Sequence, residues 1–150
     1  MSKQEEANLI LKLYDLRREP VMREARNWFF TFNPTSAQDF VEVMMGDKSA
    51  YYRMVVSYWE MAAGLVNNGA IDAQMFNDAN GEQMFIYSKI QPFLVDLRKA
   101  FNLPEYLGQL EKLITSTPNI EERIANMRER MKQFAALREQ HAAKALAAEA

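Results

Sequence analysis

Two charged residues stand out because almost nothing charged surrounds them. Arg53 and Glu60 lie two helical turns apart in the stretch Tyr51–Asp72, and Glu60 is the only formal charge between Arg53 and Asp72. Ions in so apolar a segment need partners, since an unpaired buried charge is very costly. Arg98, on the next long helix, is placed to meet Glu60, while Asp96 or Asp72 is available to Arg53. Two readings follow. Arg53, Tyr58, Glu60 and Arg98 line a polar pocket that binds a small ligand or supplies a general acid or base. Alternatively, Arg53, Glu60, Asp72, Asp96 and Arg98 form a structural network that only fixes helix register, and this second reading leads.

Other chemistries lack their residue types. There is no cysteine, so disulfides, thiolate metal sites and thiol catalysis are excluded. The single histidine, His141, lies near the C-terminus, away from any Glu-x-x-His or His-Glu-x-x-His pattern. Glycine-rich phosphate loops and a Gly-x-Ser-x-Gly turn are also missing. No catalytic residue, metal ligand or cofactor is assigned, and the balance points away from an enzyme. Eighteen basic residues face twenty acidic ones, which argues against DNA or an anionic membrane as a partner chosen by bulk charge. The arginines of residues 17–26 and 123–130 alternate with acids, as solvated helix faces do. Aromatic pairs such as Tyr58-Trp59 read as core rather than as stacking platforms for bases.

The elements that must position these groups are helical. Leu9, Leu13 and Leu16 share one face of a first helix, with Ile10 and Tyr14 beside them. Pro20 either opens a second helix or kinks a longer one, and Val21, Ala25, Trp28, Phe29 and Phe32 then repeat at helical spacing. Asn33-Pro34 ends that run, and Ser36 with Asp39 caps a short third helix that Gly46 stops. Asp47 or Ser49 starts the central helix, and Gly69 suits the left-handed position beyond its end. Asp72 caps a short helix through Phe76. From Glu82 to Asn102 a long helix turns Met84, Phe85, Ile90, Phe93, Leu94, Leu97 and Phe101 inward, and Pro92 within it should free the carbonyl of Ser88. Pro104 opens a helix with Leu107, Leu110 and Ile114, and Thr117-Pro118 opens the last one.

The expected fold is all-α. One domain over residues 1–150 holds seven or eight helices around a buried central helix at about residues 49–67, with a tail that frays from about residue 141. The last helix carries Ile120, Ile124, Met127, Met131, Phe134 and Leu137 as an apolar stripe. That stripe either forms a two-fold contact with a second copy or packs on Leu9, Leu13 and Leu16. No run approaches the ~20 apolar residues of a membrane span, and the charged N-terminus is unlike a signal peptide. These features predict an unexported, cytoplasmic protein.

Trp59-Glu60, then Leu65-Val66-Asn67-Asn68-Gly69-Ala70-Ile71-Asp72, then Tyr87, Pro92 and Arg98 form an ordered pattern. This segment, Tyr58 to Arg98, resembles a bacterial domain-of-unknown-function family. Many members associated with that family carry a membrane helix, and this chain has none. The resemblance implies a helical fold, no assigned activity, and that Glu60, Asp72 and Arg98 belong together. The function expected is that of a non-enzymatic helical interaction or scaffold protein, with itself or another protein as partner. The rival is a small-molecule-binding bundle, or an enzyme, with its pocket at Glu60.

Overall fold

The computed structural model describes residues 2–150, and every element among them is helical. The helices are α1 (Lys3–Arg17), α2 (Pro20–Thr31), α3 (Ala37–Met45), α4 (Ser49–Asn67), α5 (Ala73–Ala79), α6 (Glu82–Ile90), α7 (Leu94–Ala100), α8 (Gly108–Thr115) and α9 (Ile120–Glu149). A 3-10 turn, Gln91–Phe93, joins α6 to α7. With α6, this turn and α7 taken as one kinked helix, the count is the upper of the two expected.

The axis of the bundle is α4. Tyr52, Val55, Val56, Tyr58, Trp59, Ala62, Ala63 and Val66 are all buried, which covers most of its circumference. It packs chiefly on α2 and α8, with α3 and α5 completing the enclosure, while α1 leans on α2 and α5. The helix ends as its Asn-Asn-Gly sequence dictates. Gly69 takes φ +84°, its N–H donates to the Val66 carbonyl, and the Ala70 N–H reaches back to Leu65. Glycine takes this left-handed conformation with the least backbone strain.

The local signals elsewhere give mixed results. Pro20 sits in the first turn of α2, so it separates two helices, and the Glu19 carboxylate caps that start. Ser36 and Asp72 accept from Asp39 and Met75 as N-caps should. Three helix starts differ from expectation. Neither Asp47 nor Ser49 caps α4, whose N-cap position is Lys48. Pro104 lies in a turn, and α8 begins only at Gly108. Thr117 ends α8, its hydroxyl donating to the Leu113 carbonyl, and α9 starts after Asn119. On the first two helices Ile10, Leu13, Met22, Ala25 and Phe29 are buried, whereas Leu16 and Val21 are exposed. Each helix is therefore rotated slightly from the face that leucine spacing suggested.

Two prolines shape the junction beneath α9. A proline has no N–H to give the carbonyl four residues before it. Pro92 strips Ser88 in this way, and the Ser88 carbonyl accepts instead from the Arg128 guanidinium of α9 at 3.1 Å. Pro34 does the same to Phe30, whose carbonyl accepts from Lys89 at 3.0 Å. The last helix stays helical through Glu149, beyond the point where fraying was expected. Its alanines favour this conformation.

Candidate functional site

On the stripe of α4 that carries Arg53, Ser57, Glu60 and Gly64, the first two residues are exposed and the last two are partly covered by α8. Arg53 is exposed there and donates from Nε only to the Ser49 hydroxyl, 3.2 Å away. Glu60 is half-buried and accepts from two backbone N–H groups, Leu110 at 2.7 Å and Gln109 at 3.1 Å. These amides belong to the first turn of α8, where the helix has unpaired donors and a positive dipole end. Glu60 is thus the cap of α8, supplied from another helix.

The expected Glu60–Arg98 pair does not form. Arg98 donates from Nε to the Tyr106 carbonyl and from Nη2 to Glu111 Oε1, both at 3.0 Å. The two residues nevertheless grip one segment from opposite ends, since Tyr106 and Gln109 flank Leu107. That residue is buried with φ +56°, a left-handed conformation that costs a non-glycine residue energy and persists where its surroundings fix it. Asp72 stands apart, capping α5 and lying 3.7 Å from Lys3. Asp96 is exposed on α7. Neither meets Arg53, which needs no carboxylate because water reaches it. Tyr58 turns to the far side of α4, where its hydroxyl donates to the Leu13 carbonyl at 2.6 Å. Burial pushes its pKa up to about 12.

Beside Glu60 the structure opens a groove of about 880 Å³, walled by Met44, Val56, Leu103, Tyr106 and Leu107, with Arg53 at its edge. It is mostly apolar and open to solvent. Of the four residues expected to line a pocket, Arg53 and Glu60 do so; Tyr58 and Arg98 do not. The Tyr106 hydroxyl reaches the buried Tyr52 hydroxyl at 2.7 Å, and burial raises the pKa of both. Glu60→Ala is expected to cost about 1–2 kcal/mol, as the loss of a helix cap does. A urea melt measures this. A loss above about 3 kcal/mol would instead point to an ion left dry.

The buried charge absent from the expected site residues is Lys89. It is 9% exposed, and its ammonium donates to the carbonyls of Phe29, Phe30 and Phe32 at 2.9, 3.0 and 2.6 Å. Nζ also lies 4.8 Å from the centroid of the Phe85 ring. Lys89 therefore closes the C-terminus of α2, where a cation is favoured. Burial, assisted by Arg138, pulls its pKa down to about 8. A signal for it existed: Phe85, Lys89 and Phe93 repeat every four residues, which places a lysine in an inward stripe.

The expected interface stripe divides in two. Ile120, Ile124, Met127 and Met131 are half-buried, and α9 packs on α6 rather than on α1. Phe134 and Leu137 are 55% and 57% exposed. Among the described residues no cluster of histidine and carboxylate side chains suits a metal ion, and no helix is long and apolar enough to cross a membrane.

This helical domain is of a recognised kind. The chain belongs to the family described as Domain of unknown function (DUF4760), whose family model matches residues 4–117. The match takes in α1 to α8 and stops before α9. No curated protein matches the chain, and no solved structure does.

Proposed function

We propose that this is a non-enzymatic helical interaction protein of a bacterial cytoplasm, and that it associates with itself through α9. The observation that carries the reading is the far part of that helix. Every residue from 132 to 150 is exposed, while the chain remains helical to Glu149. Arg138 still lies over the Phe30 ring, and beyond it the helical residues 139–149 extend about 16 Å from the body. A projecting helix end of that length is marginal in water even when rich in alanine. Leu137 and Leu146 are exposed on α9, at 57% and 69%. Lys132, Arg138 and Lys144 alternate with Glu139 and Glu149, so a second copy of the helix is not repelled. A two-fold pair is the commonest closed arrangement.

Sedimentation velocity on the intact chain and on a chain ended at Met131 tests the proposal. The intact chain should sediment as a dimer and the shortened one as a monomer; equal behaviour of the two would overturn it. The double change Leu137→Glu and Leu146→Glu should act like the truncation while leaving the helical circular dichroism in place.

The groove beside Glu60 favours a second reading, a bundle that binds a small, largely apolar molecule. Native mass spectrometry of the purified protein addresses it. A bound molecule that is lost on Ser57→Trp, which fills the groove from its exposed edge, would support it; the bare chain mass would count against it.

A further inference from the structure

A second cavity, of about 270 Å³, lies between α9 and the body. Its walls are apolar: Phe30, Phe85, Met127, Met131, Phe134 and Ala135. Its only charged lining residues are Lys89, Arg130 and Arg138, and no carboxylate lines it. The neighbouring cavity of about 370 Å³ shares Lys89, Met131 and Ala135 with it, and there the other charged residues are Arg128 and Lys132. In a chain of net charge −2 this is a local excess of positive charge. The four ion pairs among the described residues leave out Arg130 and Arg138. The Arg138 guanidinium rests only on the Phe30 ring, 4.5 Å from its centroid, and Arg130 Nη2 meets only the Met127 sulfur, at 3.8 Å. A guanidinium has five donors and suits a carboxylate held in its fork. Here two of them line a largely apolar cavity without such a partner.

We propose that this cavity binds a medium-chain carboxylate, its hydrocarbon chain among the phenylalanines and methionines and its carboxylate on the Arg138 guanidinium, with Arg130 adding positive charge at the cavity wall. The class follows from the lining. Phe30 and Phe85 stack at 5.2 Å and form one apolar wall. Methionines opposite adapt to an unbranched chain. The volume sits just below the usual range for ligand pockets, about 300–1,000 Å³, so it takes one chain and not a two-chain lipid. Lys89 contributes field rather than contact, because its three donors are already taken by backbone carbonyls.

Calorimetric titration of the full chain with decanoate, held below micelle formation, tests the site. Decanoate should bind with a micromolar Kd, decanol at least tenfold more weakly, and inorganic phosphate more weakly still. The double variant Arg130→Gln and Arg138→Gln should weaken decanoate at least tenfold. Ala135→Phe, at an exposed helix position between the two cavities, should abolish binding with the thermal melt unchanged. No decanoate binding by the intact chain would overturn the proposal. So would equal affinity for decanol, unaltered affinity in the arginine variant, or phosphate bound as tightly as decanoate. A single-stranded oligonucleotide that binds where decanoate does not would replace it with a nucleic-acid site. None of these variants removes Leu137 or Leu146, so the outcome is separate from that of self-association.

Discussion

Replacement of Lys89 by methionine is expected to destabilise the fold by about 3 kcal/mol, although methionine has nearly the same length and suits an apolar site. The cost comes from what the ammonium leaves behind. The Phe30 carbonyl would ordinarily accept from the residue four positions on, and that residue is Pro34, which has no N–H. The Phe32 carbonyl lies past the end of α2, where no helical donor follows. Phe29 is less exposed to loss, because its carbonyl also accepts from the Phe32 N–H at 3.1 Å. Two part-buried acceptors are therefore left without a donor, and each such orphan costs about 1–3 kcal/mol. Urea unfolding at pH 7 measures the effect. Arg128→Met, which removes the equivalent donor from the Ser88 carbonyl, should cost less, because it orphans one carbonyl and not two. If the methionine variant unfolds within about 1 kcal/mol of the intact chain, water is reaching those carbonyls and Lys89 is not closing the helix.

The same residue sets the alkaline behaviour. Its pKa is about 8 in the folded chain against 10.5 ordinarily. Between those values the unfolded chain holds a proton that the folded chain has lost, so stability rises with pH across that window. The gain is on the order of 1–3 kcal/mol. Above about pH 10 the trend reverses, because tyrosines ionise first in the unfolded chain. Tyr58, raised to about 12, and Tyr52, Tyr87 and Tyr106, all raised by burial, hold their protons longer in the folded state. The expected profile is a maximum between about pH 9 and 10. Urea midpoints from pH 7 to 11 trace it, and Lys89→Met should lose the rise while keeping the fall. A midpoint that only declines above pH 8 in the intact chain contradicts the assignment.

What was legible in the sequence was what neighbouring residues decide among themselves. The apolar run of α4, its Asn-Asn-Gly end, the cap at Asp72 and the donorless carbonyl before Pro92 all follow from spacing and backbone chemistry. The stripe Arg53–Ser57–Glu60–Gly64 was legible too, but not where it faces. A helix with eight buried side chains still presents one open side, where Arg53 and Ser57 lie, while Glu60 and Gly64 meet α8 at its edge. Partners across the bundle were not legible. Glu60 turned to the amides of α8 and Arg98 to Glu111, choices set by how α4, α7 and α8 meet. The acceptors of Lys89 were hidden for the same reason. They lie nearly sixty residues earlier in the chain, and only the fold brings the end of α2 over the lysine. The groove beside Glu60 depends on the turn that holds Leu107 in its left-handed conformation, which no local residue pattern declares.

The central functional claim concerns α9, and the mass of the protein in solution tests it most directly. Light scattering on the intact chain at micromolar concentration should give twice the 17.4 kDa of a single chain. A mass of 17.4 kDa that stays constant as the concentration is raised would contradict it.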